Sequence, residues 1–329
     1  MADAVKLVEI WRGDFLESVH AGHAVVCDRN GDIVHAWGDP SKVILPRSSS
    51  KMLQALPLIE SGAADAFGLS EAQLALSCAS HNGAAIHTDR VKHWLNDLDL
   101  TDDALRCGPQ IPSDKPAMHD LIKSDTSPCQ YHNNCSGKHT GFLTLSKHLR
   151  AGPEYIESDH PVQSAILAAT EEVTGETSAG HAIDGCSAPN FAMSVQGLAH
   201  AMAKFASANG ESTREIAMQR LRTAMMTYPE LVAGEGRACT ELMRAMKGRV
   251  AIKTGAEAVF VAILPEQQLG VALKIEDGTT RAAECAIAAI LIKLGALDPK
   301  HPAMLKRWNA PLFNRRQIDA AYIRPANVY

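Results

Sequence analysis

A chain of 329 residues with 46% hydrophobic and 21% charged residues has ample apolar material for a core, and it lies near the size at which one core divides into two subdomains. The net charge of -5 supplies no basic footprint for nucleic acid or an anionic membrane, and no apolar run reaches membrane-spanning length, so neither partner is expected. Eight scattered cysteines, in a chain that enters a strand pattern with no charged-then-apolar leader, point to reduced thiols and a cytoplasmic location.

Residues 5–11 read as a strand, and 23–27 with 32–37 as a hairpin about Asp28-Arg29-Asn30-Gly31, whose Asn-Gly step favours a tight turn. An apolar run, Val43-Ile44-Leu45, ends at Pro46-Arg47-Ser48-Ser49-Ser50-Lys51. Helical periodicity then continues to Gly62, bent at Pro57, which removes a backbone donor. Ser70-Glu71 opens a helix ending near Ala79, Ser80-His81-Asn82-Gly83 forms a turn, and 87–98 is helical with Val91, Trp94, Leu95 and Leu98. Residues 106–134 are rich in Pro, Asp, Ser and His and read as a long irregular connection of the kind that carries function. Helical patterns follow at 135–149, 162–173, 192–208, 212–226 and 238–247, with a loop or short strand at 179–190. The period then changes: 249–253, 258–264 and 270–275 are strand-like, and 280–294 is an apolar helix. This order predicts a mixed α/β (α+β) fold. One central antiparallel sheet is built from both chain ends, 1–47 and 249–329, with a mainly helical subdomain, 48–248, inserted between them.

A serine hydroxyl is a weak nucleophile at neutral pH and needs a partner that takes its proton. Ser48 and Lys51, at i and i+3, share one face of a helix start, whereas Ser49 and Ser50 face Lys51 less well. Free N–H groups of the first turn are available to stabilise negative charge beside Ser48. Two further short patterns join this one: Ser80-x-Asn82, and Lys253-Thr254-Gly255 at a strand end, where the glycine allows backbone to approach a ligand. In that order the three resemble the signature of the penicillin-recognising serine enzymes. Cysteine and histidine types single out Cys135, His139 and Cys186 as metal ligands, because a lysine must lose its proton before it binds a metal.

The segments Tyr131-His132-Asn133-Asn134-Cys135-Ser136-Gly137-Lys138-His139-Thr140-Gly141 and Asp184-Gly185-Cys186-Ser187-Ala188-Pro189, with 46–51, 77–83 and 253–257, resemble the Rhizobium-type L-asparaginases of the asparaginase II family over nearly the whole chain. The resemblance implies a serine β-lactamase and glutaminase-like fold, a homodimer, and hydrolysis of L-asparagine to L-aspartate and ammonia. Carried over by position, it implies two Ser-Lys pairs, Ser48 with Lys51 and Ser80 with Lys253, and a zinc ion held by Cys135, Lys138 and Cys186, overruling His139 as a ligand. It places Asp184 and His139 near metal and substrate. The tail 314–325 departs from the family pattern, with Gln317 and Ala321 where glycines are expected.

The chemistry implied is acyl transfer from a β-aspartyl ester of Ser48, with Lys51 as the base and Ser80 relaying a proton to the leaving amine. Lys51 acts only when neutral, which calls for burial and a second cation such as Lys253. Arg47 is a candidate clamp for the substrate carboxylate and Asp184 for its ammonium group, with Asn82, Lys138, His139, Thr254 and Gly255 completing the substrate-binding set. Zinc would orient substrate rather than do chemistry. The alternatives are a glutaminase or β-lactam-active enzyme on the same fold, and a non-catalytic zinc-stabilised binding protein.

Overall fold

The computed structural model describes residues 3–329. In chain order its strands are β1 (Val5–Arg12), β2 (Phe15–Cys27), β3 (Ile33–Trp37), β4 (Val43–Ile44), β5 (His181–Ile183), β6 (Pro189–Phe191), β7 (Met193–Ser194), β8 (Ala251–Thr254), β9 (Val259–Leu264), β10 (Leu269–Ile275), β11 (Ala310–Phe313) and β12 (Asp319–Pro325). Eight of them form one antiparallel sheet in the order β11-β12-β1-β2-β10-β9-β8, with β3 beside β2. The two chain ends meet in it: β1 pairs with β12, Ile10 opposite Ile323, and β2 pairs with β10, Val25 opposite Ala272.

The chain divides into a sheet unit, Met1–Ser49 with Met193–Ser207 and Glu241–Tyr329, and a helical unit, Ser50–Ala192 with Ala208–Thr240. In the sheet unit every residue of β9 is buried, so the strand needs cover on both faces. The helices Val195–Ser207 and Thr280–Lys293 pack on the sheet and supply it. Sequence reading puts 192–208 with the helical subdomain, but the small residues Gly197, Ala199 and Ala203 let its backbone settle on β10 at Gly270. A Cβ at position 270 would stand 2.1 Å from Ala203 N and 2.2 Å from Ala199 O.

In the helical unit, the helix Ser136–His148 is buried without a break from Ser136 to Ser146, so no polar stripe marks an outer face. The helical run after Ser50 is broken, as Pro57 requires, into Lys51–Gln54 and Leu56–Glu60. Ser70 caps Glu71–Ser77 in a capping box with Gln73. The connection 106–134 is less irregular than its composition predicts, since it holds the helix Lys115–Lys123, capped by Asp114. None of that helix is buried; its apolar residues Met118, Leu121 and Ile122, spaced i, i+3 and i+4, line a cleft instead. The tail is strand: Gln317 takes φ +61 in the turn between β11 and β12, in the left-handed region that suits glycine, and Ala321 is buried opposite Leu312.

The contact at position 270 generates a stability prediction. Gly270→Ala forces helix and strand apart and should cost about 1–3 kcal/mol, the usual range for overpacking a tight core. Chemical denaturation checks it, and an unchanged midpoint would show that the helix can shift freely.

Candidate active site

In the sheet unit the turn Pro46-Arg47-Ser48-Ser49 follows β4, and Arg47 has a positive φ of 53°, an uncommon conformation for a bulky side chain. Ser49 is fully buried and its hydroxyl donates to Pro46 O at 2.7 Å, so it is engaged by its own turn, whereas Ser48 is only partly buried. The end of β8 reaches this turn. A Cβ on Gly255 would lie 2.6 Å from Pro46 O and 3.1 Å from Ser49 N, so only glycine allows the approach. Lys253 is fully buried on β8 and its Nζ donates to Thr254 O at 2.8 Å.

The helical unit holds the remaining candidates. Lys51 is 1% exposed; its Nζ donates to Ala79 O, beside Ser80, and to Cys135 Sγ at 3.1 Å. Ser80 is buried, and its N–H donates to Val232 O at 2.8 Å, which fixes the turn after Glu71–Ser77. Asn82 stands two residues on, its Nδ2 donating to Asp114 Oδ2 at 3.4 Å and its Oδ1 accepting from Ala84 N. Cys135 precedes the buried helix Ser136–His148, whose first turn carries Lys138 and His139. Cys186 sits in the turn joining β5 and β6, closed by Asp184 N–H to Ala188 O at 3.0 Å and by a left-handed Ser187, φ 70°. Asp184, at the start of that turn, accepts from Gly185 N through Oδ1.

Lys138 Nζ donates to Cys186 Sγ at 3.1 Å and lies 5.1 Å from the centre of the Phe142 ring. The hydrogen bond from Cys135, with the ammonium of Lys138, outweighs burial and holds the Cys186 thiol well below the ordinary cysteine range, while the same bond pushes Cys135 well above it. Burial works to strip Lys138 of its proton, but the negative charge on Cys186 prevails and its pKa is raised. Burial lowers His139 to about 4. Its Nδ1 meets the Tyr155 hydroxyl at 2.9 Å, and the Cys186 sulfur, interacting with the imidazole, works against that lowering.

Within the helical unit the structure therefore brings Lys51, Cys135, Lys138, His139 and Cys186 into one buried cluster, and within the sheet unit it brings the Ser48 turn to Thr254-Gly255. Among the described residues no three His, Cys, Asp or Glu side chains converge as a metal site; the cluster has two cysteines and completes a donor set only through Lys138. His139 Nδ1, which residue type alone favours as a ligand, is engaged by Tyr155. A cleft of about 400 Å³, lined by Ile111, Met118, Leu121 and Ile122 among others, includes none of the candidate residues.

The family model for L-asparaginase II matches residues 8–325. The chain belongs to the L-asparaginase II family. Membership makes it an amidohydrolase with a small-molecule substrate. No curated protein sequence matches it. Among solved structures, it is similar to one described as Mglu in its native form, at 13% identity and a TM-score of 0.48, covering 86% of this chain and 66% of that one. It is also similar to a β-lactamase from Mycobacterium bovis, at 14% identity and a TM-score of 0.45, covering 83% of this chain and 94% of that one. Among the described residues no helix is long and apolar enough to cross a membrane.

Sequence reasoning misses one contact and one residue of this buried cluster. Nothing in the spacing joins Cys135 to Lys51, 84 residues apart, and Tyr155 lies in a loop with no motif around it. The charge arrangement gives a test. A lowered thiol pKa means that Cys186 keeps its negative charge as pH falls through the ordinary cysteine range, losing it only at lower pH. In metal-free protein, ultraviolet thiolate absorbance that is lost in Cys186→Ser should persist at neutral pH. Absorbance that appears only at alkaline pH would contradict the pairing with Lys138.

Proposed function

We propose that the protein hydrolyses L-asparagine to L-aspartate and ammonia through an acyl-enzyme on Ser48. The observation that carries the reading is the family match over 8–325, and the setting of Lys51 supports the mechanism. A neutral lysine amine has two N–H donors and one lone pair. Ala79 O and Cys135 Sγ take two donors, leaving the lone pair for a serine proton. Ser48 Oγ attacks the side-chain amide carbon as Lys51 accepts its proton. Ser80 passes a proton to the nitrogen, the C–N bond breaks, ammonia leaves, and water cleaves the resulting ester to free Ser48. Lys253 supplies a second buried cation, Thr254 and Gly255 form the wall beside the Ser48 turn, and Arg47 and Asp184 take the substrate's carboxylate and ammonium groups, with Asn82 and His139 completing its binding set.

Cys135, Lys138 and Cys186 would hold a zinc ion. Two sulfurs and an amine in one buried cluster suit it, on condition that Lys138 gives up the proton it shares with Cys186. When bound, zinc supplies fixed positive charge beside the substrate site, and the nucleophile has its own base without it. A homodimer belongs to the same proposal, and eight free thiols support a cytoplasmic location.

Ammonia release from asparagine, with glutamine and a chromogenic lactam as competitors for the assignment, tests the function directly. Ser48→Ala should abolish turnover with the fold intact; a tenth of wild-type activity in a folded variant would remove Ser48 as nucleophile. Activity should rise toward alkaline pH, because a general-base lysine works only after losing its proton; a flat profile would contradict the base assignment.

The metal proposal separates two cysteines. Cys186→Ala should lose zinc and raise the KM for asparagine while largely keeping kcat, whereas Cys135→Ala should lose zinc and lower kcat too, since it also removes a partner of Lys51. Zinc content and full saturation curves decide this. A fall in kcat in step with zinc in both variants at constant KM would give the metal a part in the chemistry.

A further inference from the structure

In the connection between β8 and β9 the chain takes two consecutive left-handed residues, Glu257 at φ 56° and Ala258 at φ 58°. Consecutive positions of this kind in a hairpin connection are ordinarily filled by Asn or Asp followed by Gly, which tolerate the conformation. Glutamate and alanine do not, because a Cβ in this region crowds the backbone. What holds them there comes from the neighbouring strand. Lys274, half-buried near the end of β10, donates through Nζ to Glu257 O and, at 2.7 Å, to Ile275 O. The next residue of the same strand binds the other left-handed carbonyl, Ile275 N–H donating to Ala258 O at 3.1 Å.

The Glu257 side chain is fitted against the segment beyond β10. Gly278 takes φ 74° there, and a Cβ on it would stand 2.6 Å from Glu257 Oε2. The turn is therefore gripped by β10 through a charged donor, a backbone donor and a close steric fit, all within the sheet unit.

The other end of the turn meets the Ser48 segment. Gly255 N–H donates to Val259 O at 2.7 Å, which ties the glycine to the turn, and the same glycine admits Pro46 O and Ser49 N at distances a Cβ would forbid. On the far side of that contact Ser49 N–H donates to Pro46 O at 3.2 Å, and Arg47 between them is left-handed as well. Three non-glycine residues in a disfavoured conformation thus border one backbone contact. Strain gathered in this way persists only where the surroundings over-determine it, and it gathers at sites where geometry matters.

We infer that Lys274 is a positioning residue: its ammonium holds the left-handed turn Glu257-Ala258, and through Gly255 that turn sets the backbone from which Ser48 is presented. The link to catalysis rests on the proposed function; the coupling between the two turns does not. Native-state hydrogen exchange, read amide by amide at a series of low denaturant concentrations, tests the coupling without substrate. In wild type the Gly255 and Ser49 amides should open together with one denaturant dependence, and unrelated openings would overturn the inference even if no variant folds. Lys274→Met keeps the stem and removes the ammonium. Both amides should then exchange about ten- to hundredfold faster, the weight of one hydrogen bond from a charged group, while the centres of β9 and β10 keep their protection. Adding Ala258→Gly to that variant removes one of the two steric penalties in the turn and should recover part of the lost protection. With asparagine, Lys274→Met should lower kcat about tenfold with KM within about threefold, and the added glycine should raise kcat again. Unchanged protection at Ser49 in Lys274→Met overturns the inference, and so does a failure of Ala258→Gly to restore any. Equal loss of protection throughout β9 and β10 would make Lys274 a general stabiliser and overturn its positioning role, as would freed amides with kcat unchanged. If wild type does not hydrolyse asparagine, the functional proposal fails, while exchange still decides whether Lys274 couples the two turns.

Discussion

Burying a lysine removes the hydration of its charge, a cost of several kcal/mol unless protein groups replace the water. Lys51, Lys138 and Lys253 are all at most 2% exposed, and the architecture near each is arranged to provide substitutes. For Lys51 they are a carbonyl at the end of a helix and a cysteine sulfur; for Lys138, a second sulfur and an aromatic face; for Lys253, the carbonyl of its neighbour. Such placements are costly for stability and are found where a charge or a lone pair is wanted away from solvent. Once the lysines are inside, the positions of the helix Ser136–His148 and of the β5–β6 turn are constrained, because each must bring a sulfur within reach of an amine.

The sulfur pair also couples functions that a residue-by-residue description keeps separate. Cys135 touches Lys51 on one side and Cys186 on the other, and Cys186 touches Lys138. Any change in the state of one sulfur is felt at both amines, so the two buried amines and the two sulfurs form one electrostatic unit. Removing one member leaves a partner buried and unpaired, and effects of single changes there are not expected to add.

Much of the fold was legible because it rests on local pattern. The Asn30-Gly31 turn, the break at Pro57, the Ser70 cap and the change of period after 249 are each dictated by a few adjacent residues. What escaped depends on partners distant in the chain. The helix Val195–Ser207 belongs with the sheet because Gly270 admits it, and β12 is a strand because β1 offers it an edge; neither fact is written in the segment itself. The site divides the same way. Ser48 with Lys51 and the Lys253-Thr254-Gly255 run are recognisable by spacing, and the structure adds that Ser49 is engaged by its own turn. Residue type favours a histidine beside Cys186, and the structure adds Lys138, whose Nζ donates to that sulfur at 3.1 Å, a contact that nothing in residue type announces.

The pairing of β1 with β12 has a bearing on how the chain is made. The strand β1 leaves the ribosome long before its outer neighbour β12, 315 residues separating Glu9 from its partner Arg324. Most of the helical unit, Ser50–Ala192, is by contrast one uninterrupted stretch that is complete well before β8, β9 and β10 exist. Contacts so far apart in sequence form slowly, because loop closure must precede any gain from pairing. During synthesis β1 and β2 therefore wait as a hairpin with open edges and exposed Phe15 and Leu16, and that interval is when the nascent chain is most prone to pair with the wrong partner.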